Sequence, residues 1–414
     1  MIVTRRPVVL PSTPQRVFGA NRLGLFHTSF AVAAGQEVET TIRSHWTPGF
    51  RVRNLRFHMT NLFAPSGPTL SFETATGNSI TYRMAVRIWA PGETAERLIT
   101  WNSGANTSIT LASGAYDTAG SDLVNVVCPP NTRIDVCVEA VNTIGQVRPT
   151  GFRLTTFNGI QKRSRRATTA NYVTGPFGAM PNDEGSFFGG ASDATLCNMI
   201  SAESMDGRRV SVATQGDSIG RGADDDSDSF GNVGLMERAL WQLGWAFANC
   251  NVPGSNLQWS SEGDSRMACR RYMFGPLATM ILHQGGHNSA YGAIGSWPTI
   301  QGQLVGTWNY FNAWAGGART IQTVVGPATD STDVWATLAN QTDIGGAVRT
   351  EMRAFQRSRP SQIVNVIDIA PDLGDPSDVR LFRAGETDDG SHPGPAPHQR
   401  AALTLQRALA RMAM

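Results

Sequence analysis

The sequence predicts an all-β sandwich or jelly roll, followed by an α/β fold built on a parallel sheet. From about residue 29 to residue 157, short β-rich segments alternate with clusters of Gly, Pro, Asn and Ser, which is typical of an antiparallel sandwich or jelly roll. After about residue 208, strand-like runs alternate with longer helical segments, which indicates a parallel sheet with helices on both faces. A length of 414 residues suits two domains.

We expect a β-sandwich accessory domain over residues 1–160, a linker over 161–205 and an α/β domain over 206–414. Segments such as 'RVRNLRFHMTN' and 'RIDVCVEAV' predict strands in the first part. The linker contains a basic tract, 'KRSRR', and the loop-like 'GPFGAMPNDEGSFFGGASD'. In the last part, 'RVSVATQ', 'WAFANCNV', 'LATMILHQ', 'RTIQTVVG' and 'QIVNVIDIA' predict strands, and 'VGLMERALWQLG', 'IGGAVRTEMRAFQRS' and 'HQRAALTLQRALARMAM' predict helices.

The charge composition argues against nucleic-acid and membrane partners. Net charge is +2 and charged residues make up 16% of the chain, so no global field draws it to polyanions. The basic tract at 162–166 is either a short nucleic-acid patch or a solvated linker, and we favour the linker. The first residues lack the apolar core of a signal peptide, and no apolar run reaches transmembrane length. We therefore expect a cytoplasmic or a phage- or virion-associated protein, whose oligomeric state the sequence does not indicate.

The residue types that hold cofactors are sparse, and we expect neither a metal nor another cofactor. The five cysteines include no C-x-x-C pair, which argues against a zinc site. Cys128 and Cys137 flank a turn-like segment and could pair across a hairpin, but the odd count favours buried, reduced thiols. The acidic loop 'GADDDSDSF' (222–230) lacks the regular spacing of a calcium loop, so we interpret it as a solvated loop at the rim of a cleft.

The tripeptide 'GDS' occurs twice, at 216–218 and at 263–265, and its position in the predicted fold separates the two copies. Ser218 directly follows a strand-like run, so it lies at the carboxyl end of a parallel strand, where ligands gather in such sheets. Glycines 216, 220 and 222 surround it and permit a sharp turn. Ser265 instead opens a helical segment, as an N-cap region does. Ser218 is therefore the candidate nucleophile.

A serine nucleophile needs an adjacent base, and the base needs a group that orients it. Of the seven histidines, only His392 follows an aspartate, Asp389, at a spacing of three residues. A tight loop could fold this carboxylate back onto the imidazole; the alternative is an ordinary surface turn. A developing oxyanion also needs donors. Gly254 and Asn288 each follow a strand-like run and are candidates, with Asn251 and Asn256 as competitors.

Four blocks stand in order: G-D-S at 216–218, Gly254, G-x-N at 286–288 and D-x-x-H at 389–392. In this order they resemble the SGNH (GDSL-type) hydrolase family over about residues 206–414. The resemblance implies a flavodoxin-like three-layer α/β/α fold. It makes Ser218 the nucleophile, His392 the general base and acid, and Asp389 its orienting partner. The Ser218 N–H, the Gly254 N–H and the Asn288 side chain would form the oxyanion hole.

This chain departs from the family pattern at one position near the third block. Many members carry Asp after the Asn, and here Ser289 stands there. The resemblance also implies that His398 has a structural role and caps the last helix. Asp217, Trp259, His287 and Trp335 are weaker candidates for substrate contacts, and the alternative for each tryptophan is packing in the core.

The resemblance implies a serine ester hydrolase that works through an acyl-enzyme on a small-molecule or polysaccharide ester. Removal of acetyl or other short acyl groups from a carbohydrate is the favoured reaction, by analogy with β-rich domains that bind glycans. A short-chain, aryl or polyester esterase is the first alternative. A glycan-binding or phage-tail module with a vestigial hydrolase half is the alternative from another class.

Overall fold

The computed structural model describes residues 16–21, 23–65, 73–93, 96–153, 162–167, 193–207, 210–291, 295–314 and 317–413. Within these ranges, every element before residue 205 is a β-strand and every helix begins after residue 217. The strands of the first part are β1 (Arg16–Phe18), β2 (Thr28–Ala31), β3 (Val38–Trp46), β4 (Val52–His58), β5 (Leu62–Phe63), β6 (Thr74–Ala75), β7 (Ile80–Ile88), β8 (Glu96–Leu98), β9 (Ile109–Leu111), β10 (Val124–Cys128), β11 (Arg133–Val141), β12 (Val147–Thr150), β13 (Phe152–Arg153), β14 (Lys162–Ala167), β15 (Asp193–Ala194) and β16 (Met199–Ser204).

Two antiparallel sheets form the body of this β-rich part. One has the order β14-β3-β11-β7-β8, with β9 also paired to β7, and the other has the order β1-β16-β4-β10. Alternate residues of β11, Ile134, Val136 and Val138, are buried in the same cluster as Leu55 and Phe57 of β4. Since alternate side chains of a strand point to one face, the two sheets pack face to face on this cluster. The jelly-roll topology stays a prediction.

The segment expected to be a linker contributes strands to both sheets, which corrects that expectation. Strand β14, which contains the basic tract, pairs antiparallel with β3 from Lys162↔Arg43 to Ala167↔Val38. Strand β16 lies inside the second sheet, between β1 and β4. Its residues Met199, Ile200 and Ala202 are buried. These parts of 161–205 are therefore strands of the two sheets rather than a linker. The loop-like 'GPFGAMPNDEGSFFGGASD' lies almost entirely outside the described residues.

The remaining strands and helices belong to the α/β part. The strands are β17 (Ser211–Gly216), β18 (Ala246–Asn249), β19 (Met280–Gln284), β20 (Arg319–Thr323), β21 (Thr329–Ser331), β22 (Gln341–Asp343) and β23 (Asn365–Ile367). The helices are α1 (Ser218–Arg221), α2 (Gly234–Gln242), α3 (Leu257–Ser261), α4 (Asp264–Cys269), α5 (His287–Tyr291), α6 (Trp297–Asn312), α7 (Gly346–Arg357), α8 (Ala370–Leu373) and α9 (Pro395–Ala413). A π-helical turn, Arg270–Phe274, continues α4. No helix in the described ranges combines the length and the apolar character needed to cross a bilayer.

Five parallel strands form the central sheet of this part, in the order β18-β17-β19-β20-β23. Val212 of β17 and Leu282 of β19 are buried against α2 and α9 on one face. On the opposite face, Trp308 of α6 donates a hydrogen bond from Nε1 to Gln322 Oε1 of β20 at 2.9 Å. The predicted parallel sheet with helices on both faces is therefore confirmed. If these five strands are numbered along the chain, their order across the sheet is 2-1-3-4-5. This is a flavodoxin-like order, and its switch point lies beside the first strand, β17.

The cysteines are all free thiols buried in the fold. Cys128 ends β10, which pairs with β4, whereas Cys137 lies in β11 between β3 and β7. The two residues therefore belong to different sheets and do not face each other across a hairpin. Burial raises the pKa of the Cys128 thiol to about 12, so it stays protonated at neutral pH.

The β-rich part and the α/β part share one core. Phe18 and Val52 from the first part belong to the same buried cluster as Ala248 and Phe274 from the second. Glu73, from the β-rich part, accepts hydrogen bonds from the backbone N–H of Arg270 at 3.0 Å and from its Nε at 3.1 Å. Both partners of this ion pair are almost completely buried. Removal of either partner would therefore leave an uncompensated charge between the two parts.

We expect Gly49→Ala to destabilise the protein, because Gly49 touches the α/β part at Gly244. Gly49 donates a backbone hydrogen bond to Gly244 O at 3.0 Å. A Cβ at Gly49 would lie 2.7 Å from Gly244 Cα, so the two backbones would have to separate. The expected loss is about 1–3 kcal/mol in the free energy of unfolding, measured by urea denaturation.

Gly302→Ala in α6 is the matched control for this substitution. A Cβ there meets no atom within 4 Å, so we expect a gain of roughly 0.5–1 kcal/mol from the greater helix propensity of alanine. Equal free energies of unfolding for the two variants would show that the Gly49–Gly244 contact is not tight.

Candidate active site

Ser218 lies in a tight turn between β17 and α1. It is the first residue of α1, and the preceding Asp217 caps this helix by accepting a hydrogen bond from the Ile219 N–H at 3.0 Å. The strand ends at Gly216, where a Cβ would lie 2.4 Å from Gln284 O of the neighbouring β19. Glycine therefore lets the chain turn close to β19, and this turn places the Ser218 hydroxyl at the carboxyl edge of the sheet.

Three side chains from distant parts of the chain meet at this edge. His392 Nε2 is 2.7 Å from Ser218 Oγ, and His392 Nδ1 is 2.6 Å from Asp389 Oδ2. An ionised carboxylate only accepts hydrogen bonds, so Nδ1 carries the proton and Nε2 presents its lone pair to the serine O–H. The sequence-predicted nucleophile, base and orienting residue are thus in hydrogen-bond contact in one line.

The electrostatics of the pair keep the carboxylate charged and make the imidazole more basic. Burial alone would raise the pKa of Asp389, but hydrogen bonds from the His392 ring and from two backbone N–H groups outweigh it, and the pKa falls well below its usual range. The hydrogen bond to Asp389 raises the pKa of His392 above its ordinary value of 6.5, against an opposing effect of burial. The ring is therefore a stronger base than a free histidine.

The loop that carries Asp389 and His392 is held by its own backbone. Asp389 Oδ1 accepts hydrogen bonds from the N–H groups of Ser391 and His392, each at 2.8 Å. Gly390 has a φ of +70°, and a Cβ there would lie 1.9 Å from Thr329 O. Thr329 in turn donates its N–H to Gly390 O at 2.8 Å. Glycine at 390 thus allows β21 to support the loop directly.

A network behind the loop includes Arg349, which the sequence did not single out, and His287, which it singled out only as a candidate for substrate contact. His287 Nε2 lies 2.9 Å from Ser391 Oγ, and His287 Nδ1 lies 3.3 Å from Arg349 Nη1 of α7. Arg349 also donates to Gly326 O at 3.0 Å. His287 and Arg349 are both completely buried, so this network connects α5 and α7 to the loop through the protein interior. Ser391 stands inside the D-x-x-H block, but Arg349 has no sequence signal beyond its place on an amphipathic helix.

The three donors predicted for an oxyanion hole come from segments that follow neighbouring strands of the sheet. Ser218 follows β17, Gly254 follows β18 with a φ of +76°, and Asn288 lies in α5 after β19. Within the described part of the chain, the Ser218 and Gly254 N–H groups make no hydrogen bond. Asn288 donates one amide hydrogen to Ser255 O at 2.9 Å, which orients the carboxamide and leaves its second hydrogen available.

The competing residues for these roles have other partners. The Asn251 amide donates to Thr214 Oγ1 at 2.8 Å and to Gly220 O at 3.0 Å, so it connects β17 to α1. Asn256 caps α3 by accepting the Trp259 N–H at 3.2 Å. In the second 'GDS' copy, Asp264 accepts hydrogen bonds from Arg271 Nη1 at 2.9 Å and Tyr272 Oη at 2.8 Å at the protein surface. This copy begins the surface helix α4.

The weaker candidates for substrate contact differ in exposure. Asp217 and His287 are completely buried, so their side chains face the protein interior, whereas Trp259 is 9% exposed, close to the 7% of Ser218 itself. A substrate contact of Trp259 stays a prediction. Burial also raises the pKa of Asp217 to about 7. Trp335 is partly exposed, and a Cβ on Gly390 would lie 2.6 Å from its ring, so it borders the loop that carries His392. Trp335 remains a candidate.

Two further residues flank the nucleophile turn. His398 of α9 is buried, and its Nε2 donates a hydrogen bond to Ala223 O at 3.1 Å. This bond connects the last helix to the loop after α1. Asp224 in that loop lies with Asp389 and His392 in a group whose potential metal-ligand atoms are within 4.8 Å of one another. Within this group, Asp389 Oδ2 and His392 Nδ1 are already hydrogen-bonded to each other.

The acidic loop that contains Asp224 uses two other carboxylates, those of Asp225 and Asp228, for structural contacts. Asp225 Oδ2 accepts hydrogen bonds from Arg238 Nε and Gly234 N, both at 2.7 Å. Asp228 Oδ1 accepts the N–H groups of Phe230 and Asn232, each at 2.9 Å. These two side chains are therefore directed at the protein rather than at a common cation.

No protein-family model matches the sequence, and no curated protein matches it. Among solved structures, the chain is similar to a putative lipolytic protein of the G-D-S-L family from Desulfitobacterium hafniense, at 16% identity and a TM-score of 0.35, over 47% of this chain and 97% of that one. It is also similar to a carbohydrate esterase family 2 enzyme plus carbohydrate-binding domain from Corynascus thermopiles (Myceliophthora fergusii), at 14% identity and a TM-score of 0.36, over 95% and 99%. A family two carbohydrate esterase from Clostridium thermocellum in complex with cellohexaose matches at 12% identity and a TM-score of 0.35, over 96% and 99%. The structural matches of this chain thus include GDSL-type lipolytic proteins and carbohydrate esterases.

Proposed function

We propose that this protein is a serine ester hydrolase of the SGNH (GDSL) type that works through an acyl-enzyme. The observation that carries the proposal is the unbroken hydrogen-bond chain from Ser218 Oγ through the His392 ring to Asp389. A hydroxyl, an imidazole and a carboxylate in this order form the arrangement that activates serine in acyl transfer. Its position at the carboxyl edge of the sheet, beside the switch point, also supports a ligand site.

In the proposed reaction, Ser218 Oγ attacks the ester carbonyl carbon while His392 Nε2 takes the hydroxyl proton. The tetrahedral intermediate collapses, its C–O bond to the alcohol breaks, and the imidazolium returns the proton to the departing alcohol. Water then attacks the acyl-serine, with His392 again taking a proton. The acid leaves and the proton returns to Ser218 Oγ. Asp389 holds the Nδ1 tautomer throughout and stabilises the imidazolium.

The oxyanion of each tetrahedral intermediate is proposed to bind the N–H groups of Ser218 and Gly254 and the free amide hydrogen of Asn288. These donors come from the ends of the adjacent strands β17, β18 and β19, and two of them make no other hydrogen bond within the described residues. Donors held in place before the reaction need no reorganisation when charge develops, and one such donor contributes about 10²–10³ to turnover.

The Ser218→Ala variant should lose both ester hydrolysis and covalent labelling by a fluorophosphonate probe. The chain supplies its own control, because Ser265 stands in a second 'GDS' tripeptide but lies on the surface in α4. We expect Ser265→Ala to keep full labelling and activity. Equal labelling of native protein and Ser218→Ala, or no labelling of the native protein, would exclude the proposed nucleophile and would favour a vestigial hydrolase half.

Activity should rise with pH through the titration of His392. The base must be neutral to accept the serine proton, and its pKa is raised above 6.5, so kcat/KM should be low in mild acid and reach its plateau above neutrality. A profile of kcat/KM between pH 5 and pH 9 with an uncharged acetyl ester measures this midpoint. A rate that is flat across the range, or a midpoint below 6, would contradict a histidine base paired with Asp389.

Within the class of esters, we propose acetyl or other short acyl groups on a carbohydrate as the substrate. Two partly exposed aromatic side chains lie near the loop that carries His392. Trp335 lies against Gly390, and Tyr291 stacks at 5.7 Å on His287, which contacts Ser391 of the same loop. Exposed aromatic faces beside polar groups suit a sugar ring better than a long acyl chain. No long apolar insertion interrupts the α/β part of the sequence, which also disfavours a lipid substrate.

A screen of acetylated polysaccharides against aryl acetates and long-chain esters tests this choice, with Ser218→Ala as the blank. We expect release of acetate from polysaccharides, and kcat/KM values that fall as the acyl chain lengthens beyond a few carbons. Trp335→Ala should raise KM for the polysaccharide more than for a small aryl acetate, because only the sugar reaches the ring. Turnover of long-chain esters above that of acetylated glycans would contradict the substrate, though not the mechanism.

A further inference from the structure

A second carboxylate approaches the same nitrogen of the catalytic imidazole. Asp224 Oδ2 lies 3.8 Å from His392 Nδ1, the atom that is hydrogen-bonded to Asp389 Oδ2 at 2.6 Å. The side chain of Asp224 is 51% exposed. Within the described residues, the Asp224 side chain makes no hydrogen bond. Its contact with the site is the ion pair with His392.

The backbone around Asp224 holds this carboxylate beside the ring. Asp224 has a φ of +62°, in the left-handed region, which Asp enters at a lower energetic cost than most residues. The preceding Ala223 donates its N–H to Ser218 O at 2.9 Å and accepts a hydrogen bond from His398 Nε2. The following Asp225 forms an ion pair with Arg238 at 2.7 Å. Both neighbours are anchored, so the position of Asp224 is fixed by the chain on either side.

The charged groups around His392 are predominantly negative. Asp389 lies in its own loop, Asp217 lies at the end of β17, and Asp224 follows α1. His287 of α5 faces the loop from the interior, and Arg349 of α7 lies behind His287. Arg349 is the cation among these groups. It is buried, and its guanidinium contacts His287 and donates to backbone carbonyls rather than to His392. A proton on His392 Nδ1 is therefore stabilised by two carboxylates, Asp389 and Asp224. Asp217 contributes less, because burial raises its pKa to about 7.

We propose that Asp224 is a second positioning carboxylate for His392, which stabilises the imidazolium during both proton transfers and partly replaces Asp389 when that residue is removed. This inference rests on the proposed function. Asp389, at hydrogen-bond distance, fixes the tautomer. Asp224, at 3.8 Å from the same nitrogen and beyond hydrogen-bond distance, acts through its charge.

The Asp224→Asn variant should change the pH profile in a way that a structural defect would not. Loss of the negative charge makes the imidazolium less stable, so the midpoint of kcat/KM should move to lower pH by about half a pH unit. At the alkaline plateau kcat should fall by about two- to five-fold, so the relative activity of the variant is higher in mild acid. At about 1 M salt the shift should shrink, because half-exposed charges are screened.

Asp226→Asn is the matched control, since Asp226 is an exposed aspartate in the same loop and is not part of the proposed machinery. Its pH profile should coincide with that of the native protein. Asp224→Gly removes the same charge and also suits the left-handed backbone, so it carries the test if Asp224→Asn is unstable. Profiles of Asp224→Asn and Asp224→Gly that coincide with the native profile at low salt would overturn the proposal.

The double variant tests whether Asp224 replaces Asp389. Asp389→Asn alone should retain measurable activity, and adding Asp224→Asn should cost a larger factor in that background than in the native one. An equal or smaller factor would overturn the replacement of Asp389 by Asp224. Ser218→Ala, measured in parallel, separates the proposed function from the role of Asp224. Hydrolysis that survives in Ser218→Ala would refute the esterase proposal itself. An inactive Ser218→Ala together with an unchanged pH profile of Asp224→Asn would refute only the role of Asp224.

Discussion

The hydrogen bond between Asp389 and His392 Nδ1 is the interaction on which the candidate site depends. Because the carboxylate can only accept, it fixes the ring proton on Nδ1 and leaves Nε2 able to accept from Ser218. The other oxygen of Asp389 accepts two backbone N–H groups of the same loop. One side chain therefore sets both the conformation of the loop and the tautomer of its histidine, and α5 and α7 support that loop from the interior through His287.

The parallel sheet explains how residues 174 positions apart come into contact. The chain leaves β17 for β18 on one side and returns to β19 on the other, so the turn after β17 stands open at the switch point. The donors after β18 and β19 then lie on either side of Ser218. The loop with His392 follows the last strand, β23, and reaches the same edge because every strand of the sheet runs in one direction.

The sequence predicts local structure well and long-range structure less well in this protein. Short apolar runs located β17 to β20, whose residues are buried on both faces of the sheet. Helical periodicity located α2, α7 and α9, which each bury one face. These patterns did not reveal β16, whose partner β4 lies about 140 residues earlier and whose short segment carries no alternation of its own. Arg349 was equally invisible, since a polar residue on an amphipathic helix normally faces water. Exposure also could not be inferred for Asp217 and His287, which adjoin the site in sequence but point inward.

The interior that the two parts have in common limits how this protein can be rearranged. Phe18 and Phe274 stand in one continuous cluster, and the buried Glu73–Arg270 pair crosses the same boundary. A cut near residue 206 would expose apolar side chains and an unpaired charge on both pieces. We therefore expect neither part to be stable as a separate fragment, because each covers apolar surface of the other.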